Sequence, residues 1–470
     1  MAVLKIRPQA LTLVAVVVSP MLTMFYAFYT ERQDNFCHAI NQDNEHFKAL
    51  NYYCNSIEIP INGSEGDLQE DGFNLESIQV VLRHGDRTRI HDLPNYDEPQ
   101  LACHFSNYPH LFPHTQGLDG FVEVMEKNSQ LRNLIPETLS RFDLYPNEDI
   151  CRFGQLTPTG AAQQVKNGAF LRMKYRKWDL FESDDDTVSN NFKLVSTQAE
   201  RTFQSGIAFM YGIMPSFNLS VIEVEAATNS SMCIEKAKRT LFPCSCSIGL
   251  EKYSKFTAHT YGLTFAGRKK KKAPYDQIAV AFNIKVSDIP SAQSLMDVGM
   301  THMCHRLPLP GSPSKCLEVG TLRHLVDEAN YHGDTQSKSG DYPYLAKSRM
   351  LPFIDQIYFN MLAVLKDEER VKVIVYSGHD TTLEPLLVAL NISSGEWPKY
   401  AARVVFELYS YKATSSSDKS YLFRILYNGH DRTSKAIGCS DSLKNGLCPL
   451  QVLGKFLEES RSLCNPSKKP

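Results

Sequence analysis

The stretch SIQVVLRHGDRTRI, residues 77–90, decides the fold. Ser77 to Leu82 is apolar, rich in β-branched residues and bounded by polar ones, which predicts a short buried strand. The strand ends abruptly, because Arg83, His84 and Arg87 follow it at once. A basic turn after a strand is ordinarily just solvated, so its meaning depends on what other strand ends the chain supplies.

Two further strand-to-helix junctions carry charge. Lys193 to Ser196 predicts a strand that runs into QAERTFQSGIAFMYGI, whose apolar positions recur with helical period and which holds Arg201 at its start. Val371 to Tyr376, VKVIVY, is continuously apolar, as a strand buried on both faces would be. SGHDTTLEPLLVAL follows it; Thr381 and Glu384 have capping-box spacing, which puts His379 and Asp380 at a helix amino terminus. GQLTPTGAAQQVKNGAFLRMKY, from Gly154, predicts a helix with Pro158 in its first turn and Val165, Ala169 and Met173 on its apolar face. Arg403–Tyr409 and Tyr421–Tyr427, joined by a serine-rich turn, read as strands that close the sheet. The expected fold is α/β, with a mostly parallel sheet flanked by helices. Residues of about 216–345 are less regular and read as an inserted, mainly helical subdomain; no internal repeat is visible.

In open α/β sheets, ligands bind outside the carboxyl ends of the strands. Three such ends would here gather Arg83, His84 and Arg87, then Arg201, then His379 and Asp380. Three planar guanidinium forks beside helix amino termini make an anion pocket suited to a phosphoryl group. The lone carboxylate, Asp380, would be out of place in a simple phosphate-binding pocket and makes sense as a proton donor.

These segments resemble the histidine acid phosphatase family. The family's RHGxRxP is RHGDRTR here, its STxxxRT is STQAERT, and its late HD pair is SGHDTTL; GQLTPTG and GLCPLQVLGKFL are also similar. The resemblance spans roughly residues 77–463. It implies that His84 is the nucleophile and forms a phosphohistidine, that Arg83, Arg87, Arg201 and His379 bind the phosphoryl oxygens, and that Asp380 is the proton donor. One departure stands out: the family's proline is Arg89, which puts the shape of that loop in question.

Charge excludes little but is informative. Lys and Arg total 50 against 52 Asp and Glu, a net of −2, so nothing points to nucleic acid. Residues 10–29 carry no charge and could span a bilayer as a helix; Lys5 and Arg7 before them keep the amino terminus cytosolic. The alternative is a cleaved signal peptide. The expected layout is a tail at 1–9, an anchor at 10–29, a polar stem at 30–74 and the phosphatase domain at 75–470. Twelve scattered cysteines predict disulfides, Cys439 and Cys448 being close enough for a local loop, and sequons at Asn62, Asn218, Asn229 and Asn391 predict glycans.

An anchored lumenal domain is laid out like a Golgi glycosyltransferase. Within the family, that layout resembles the branch acting on xylose in the proteoglycan linkage region. The expected partners are therefore a phosphorylated xylose-containing linkage oligosaccharide, the membrane and glycosyltransferases of that pathway. A broader-specificity lumenal acid phosphatase, or a non-catalytic glycan- or phosphate-binding protein, are the alternatives.

Three features read more simply without chemistry. Asn428 to Asp431, NGHD, repeats the HD pair but reads as an Asn-Gly turn. His302 and His305 flank Cys304 at ligand-like spacing, yet a disulfide explains the cysteine, and an arginine pocket implies no metal or cofactor. Arg268 to Lys272 is a solvated basic loop or an attraction for an anionic glycan.

Overall fold

Strand β1 runs Phe73–Arg83, longer than the apolar core of the quoted stretch. The computed structural model describes residues 44–464, except 69–71, 94–95, 97–98, 179, 182–190, 215, 235–240, 243, 245–271, 290–291, 313–314, 339–340, 367–370 and 413–418. The candidate anchor at 10–29 and Arg268 to Lys271 of the basic run lie outside the described residues. No helix among the described residues is long and apolar enough to cross a membrane.

The remaining long strands are β2 (Phe192–Thr197), β3 (Ile222–Ala227), β4 (Val373–Gly378), β5 (Arg403–Lys412) and β6 (Lys419–Tyr427). Their order across the sheet is β6-β5-β1-β4-β2-β3, with the short strand Cys448–Pro449 outside β6. β1, β4, β2 and β3 are mutually parallel, whereas β5 and β6 add antiparallel strands on one side. The continuous apolar runs have a physical cause: both faces of the central strands are covered. Ile78, Val80 and Leu82 of β1 face one core, while Val81 faces the other, all fully buried. Each such side chain contributes about 1.5–3 kcal/mol relative to exposure.

The helices that bear on the site are α1 (Glu45–Cys54), α2 (Pro158–Tyr175), α3 (Glu200–Ile213), α4 (Ala292–Cys304), α5 (Val319–Lys338), α6 (Tyr342–Leu365) and α7 (Asp380–Ala389). α2 and α3 cover one face of the sheet, α6 and α7 the other. Pro158 opens α2, and the Thr157 side chain caps it by accepting from Gly160 N. The expected apolar face of α2 is shifted: Val165 is buried but Met173 is 63% exposed, and Leu171 and Tyr175 fill the core instead. Capping of α7 also differs by a residue. His379 is its N-cap and donates its backbone N–H to the Thr382 hydroxyl at 3.1 Å, so the capping pair is not Thr381 and Glu384.

Two expected boundaries move. β3 belongs to the main sheet, so the helical insert starts beyond it and includes α4 and α5. The segment expected to be a polar stem is, from Asn44 on, built into the folded body. Phe47, Leu50 and Cys54 of α1 share a hydrophobic core with the insert, and Cys54 is bonded to Cys304 at 2.01 Å. The polar letters of this segment misled because its apolar residues fall on one face of a single short helix.

Candidate active site

β1, α3 and α7 deliver the six charged residues to the carboxyl ends of β1, β2 and β4. The loop after β1 lies directly on the start of α2: a methyl group on Gly85 would collide with the Gly160 backbone, and one on Gly160 with the Asp86 backbone. His84 is held by its backbone N–H to Gly378 O at 2.9 Å, so the RHG and HD segments are tied across the β1–β4 pair.

The His84 ring has a defined tautomer. Nδ1 lies 2.8 Å from the Gly85 carbonyl, which can only accept, so Nδ1 carries the proton and Nε2 keeps its lone pair. Burial, then Arg201, Arg83 and Arg87, push its pKa well below the usual value, so the ring stays neutral in mild acid.

Arg83 is fully buried beneath this ring's backbone. Its Nη2 lies 2.9 Å from Asp380 Oδ2 and donates to the Tyr53 hydroxyl at 2.7 Å; Nη1 donates to Pro398 O at 2.5 Å. Tyr53 and Tyr400 flank the guanidinium at 5.0 and 4.4 Å from their ring centres. Arg87 donates through Nη1 to Asp297 Oδ1 at 2.8 Å and to Thr88 O at 2.9 Å. Arg201 sits at the amino end of α3, and burial followed by repulsion from Arg87 pushes its pKa down to about 10. The Nε–H of Arg83, of Arg87 and of Arg201 is buried with no acceptor among the described residues. Crowded cations with unanswered donors are what a bound oxyanion would satisfy.

His379 belongs to a hydroxyl chain. Thr202 Oγ1 donates to Ala199 O at 2.7 Å, so it must accept from Thr197 Oγ1 at 2.8 Å, which in turn accepts from His379 Nε2 at 2.9 Å. Nδ1 is therefore an acceptor and faces Arg201 Nη2 at 3.4 Å. Burial and then Arg201 hold the pKa of His379 at about 3. Burial would raise the Asp380 carboxyl, but Arg83 and Arg87 reverse this and hold it below its ordinary value. Asp380 also accepts from Thr381 N at 2.7 Å and from the Trp397 indole N–H at 3.3 Å.

The cavity in front of these groups is about 460 Å³. Five of the six expected residues line it, and Arg83 reaches it through Asp380. Its outer wall is Leu50, Met296, Met300, Val326 and Trp397, with Arg323, Asp327, Asn330 and Glu396 between them. Sequence reasoning missed Tyr53, Tyr400, Asp297 and Trp397. They lie on the supposed stem, on the insert and on a loop, and only long-range packing brings them in.

The other singled-out residues lie elsewhere. His302 bonds the Tyr96 hydroxyl and the Pro308 carbonyl, and His305 Nε2 lies 2.8 Å from Asp86 Oδ2, so the two rings do not converge. No group of three or more His, Cys, Asp or Glu that could hold a metal occurs among the described residues. Asn428 and Gly429 both have positive φ, and His430–Asp431 pairs with β6 after that turn. Cys439 is bonded to Cys448, Cys103 to Cys151 and Cys233 to Cys244. Asn62, Asn218 and Asn391 are exposed and Asn229 is half-buried.

Buried neutral histidines make stability depend on pH. His84, His379 and His302, the last lowered to about 4, are neutral when folded but protonate near 6.5 when unfolded. Between those values the unfolded chain binds more protons, so stability is full above about pH 6.5 and is lost as pH falls. The melting temperature of the protein is expected to drop steadily from pH 6.5 to 4.5, with inorganic phosphate offsetting part of the loss by binding the native state. A flat profile over that range would contradict the buried neutral rings.

A family model described as histidine phosphatase superfamily (branch 2) matches residues 74–247 and 274–428. The human 2-phosphoxylose phosphatase 1 is 28% identical over 423 residues, which are 88% of this chain and 82% of the relative. The human lysophosphatidic acid phosphatase type 6 is 24% identical over 389 residues, 80% of this chain and 81% of the relative. A solved structure of the Bifidobacterium longum multiple inositol polyphosphate phosphatase aligns over 86% of this chain and 97% of its own, with 13% identity and a TM-score of 0.49. The family match spans well over half of the chain and takes in all six expected site residues: this chain belongs to the histidine phosphatase superfamily, branch 2, and is a phosphoric monoester hydrolase.

Proposed function

We propose that the protein hydrolyses its phosphomonoester through a phosphohistidine at His84, and that the substrate is the 2-phosphate of xylose in the glycosaminoglycan–protein linkage region. The His84 Nε2 lone pair attacks phosphorus and the P–O bond to the sugar breaks; Asp380, ionised in the free enzyme, takes up the proton that the monoanionic substrate brings and passes it to the leaving oxygen. Water then attacks phosphorus, the P–N bond breaks, and Asp380 takes a proton from that water. Arg83, Arg87 and Arg201 hold the phosphoryl oxygens and stabilise the charge of the transition state. His379, an acceptor at Nδ1, fits the P–OH of a monoanionic substrate.

The observation that carries the chemistry is the His84 tautomer, a neutral ring with its lone pair at Nε2 and three arginines near enough to lower its pKa. The sugar assignment is supported by the 28% identity to 2-phosphoxylose phosphatase 1 and by the cavity beyond the phosphate subsite. An indole face with several hydrogen-bonding side chains suits a pyranose, whose faces are apolar and whose rim is hydroxyl. Disulfides and surface sequons fit an oxidising, lumenal setting. We place the protein in the Golgi as a single-pass type II protein anchored by residues 10–29, with glycosyltransferases of the linkage pathway as neighbours.

The test is a substrate panel assayed with the purified lumenal domain: a phosphoxylosyl linkage acceptor, inositol phosphates, lysophosphatidic acid and phosphopeptides. The linkage acceptor is expected to give the highest kcat/KM, with activity unchanged by exhaustive chelation. Preference for lysophosphatidic acid or inositol phosphates would sink the sugar assignment. Loss on chelation with recovery on added zinc or magnesium would sink the arginine-only mechanism.

A further inference from the structure

The loop after β1 is gripped by the helical insert at one carboxylate. Asp297, on α4, accepts from Arg87 Nη1 at 2.8 Å through Oδ1, and from the backbone N–H groups of Ile90 and His91 at 2.6 and 2.9 Å through Oδ2. Both sides of the ion pair are 6% exposed. The two backbone donors follow Arg89 directly, where the family pattern has proline. The Arg89 side chain braces the loop from its own side, its Nη1 donating to His91 O and Asp92, but it leaves the Ile90 and His91 N–H groups to Asp297. Proline would stiffen this loop covalently; a carboxylate taking two consecutive N–H groups stiffens it from outside.

The carboxyl end of the same helix makes two further ties around the pocket. Cys304 is bonded to Cys54, beside Tyr53 and its hydrogen bond to Arg83, and His305 pairs with Asp86 between the two pocket arginines. Asp297 differs from these in acting on a phosphate-facing side chain directly. An arginine carries roughly 2 kcal/mol of rotamer entropy that binding would otherwise have to remove. Fixing Nη1 on Asp297 and Thr88 O sets how the Arg87 guanidinium is turned in the cavity that it lines.

We propose that Asp297 is a positioning residue that orients Arg87 and sets the loop at residues 90–91, standing in for the missing proline. The proposal rests on the phosphatase reading of this pocket. A negative charge beside Arg87 also weakens its attraction for phosphate, so the carboxylate trades affinity for geometry. Its removal should therefore split binding from turnover, which a merely structural residue would not do.

The experiment measures kcat on a phosphomonoester and the inhibition constant of inorganic phosphate for the wild type, Asp297→Asn, Arg87→Ala and the double variant. Asp297→Asn is expected to lower kcat about 100-fold, the cost of misplacing a reacting group, while phosphate inhibits as well or more tightly. On the Arg87→Ala background, the same change should cost less than about tenfold, because its partner is gone. Equal losses on both backgrounds, an unchanged kcat, or weakened phosphate inhibition in proportion to kcat would each overturn the proposal. If Asp297→Asn does not fold, Asp297→Glu keeps the charge and the backbone acceptor but displaces Arg87; a kcat within threefold of wild type would then overturn it. A silent Asp297→Asn beside an inert His84→Ala leaves the phosphatase reading intact. A wild type inert toward every phosphomonoester defeats that reading whatever Asp297 does.

Discussion

Replacing His84 by alanine is expected to lower kcat by on the order of 10⁴-fold or more, because no other group can form the covalent intermediate. The fold should survive. The ring is neutral and makes one side-chain hydrogen bond, to Gly85 O, while the backbone bond to Gly378 O that ties β1 to β4 does not need it. Phosphate should still bind, since the three arginines remain, and should still raise the melting temperature of the variant. Loss of turnover with retained phosphate binding separates a nucleophile from a binding residue. Wild-type enzyme quenched rapidly in alkali should carry phosphate on His84, and acid should release it, as expected of a P–N bond. A folded His84→Ala variant with turnover within tenfold of wild type would sink the covalent mechanism.

The central strands and the charged ends of β1 and β4 were legible because both-face burial writes itself as an unbroken apolar run, and because several strand ends together carry charges that suit one anion pocket. Arg201 was legible for the same reason, through the strand-to-helix change of period. Tyr53 was not. It lies in a polar segment whose few apolar residues share one short helical face, and its contact with Arg83 depends on a disulfide closing 250 residues of chain. Asp297 was equally silent, since one acidic residue on an amphipathic helix is the commonest of surface features. Local pattern reports which residues leave the strands; it does not report which distant helix covers them. Arg89 was the exception in between, a visible departure whose compensation lay more than 200 residues away.

Asp380→Asn should divide substrates by leaving group. On a sugar phosphate, whose alkoxide must be protonated as it leaves, the loss should be on the order of 10²–10⁴-fold, the usual worth of a positioned acid. An aryl phosphate needs no such proton, so the phosphorylation of His84 should continue nearly unimpeded. The second step then fails, because the same carboxylate takes the proton from water. The variant is expected to release about one aryl alcohol per enzyme in a burst and then turn over slowly, with phosphohistidine accumulating. Phosphate affinity should rise, since Arg83 loses the carboxylate 2.9 Å from its Nη2. The pH profile follows from the same ion pair. Arg83 and Arg87 keep Asp380 ionised in the free enzyme through mild acid, so the catalytic proton must enter with the substrate as its monoanion. For wild type on a sugar phosphate, kcat/KM should fall tenfold per pH unit above about 6, the second pKa of a phosphomonoester. His84, depressed well below 6.5, imposes no matching loss until stronger acid. In Asp380→Asn the burst rate on the aryl ester should lose that steep decline, because no proton is then delivered in the first step. Equal losses on both substrate classes, or a sugar phosphate profile flat across pH 6–8, would remove Asp380 from the role of acid.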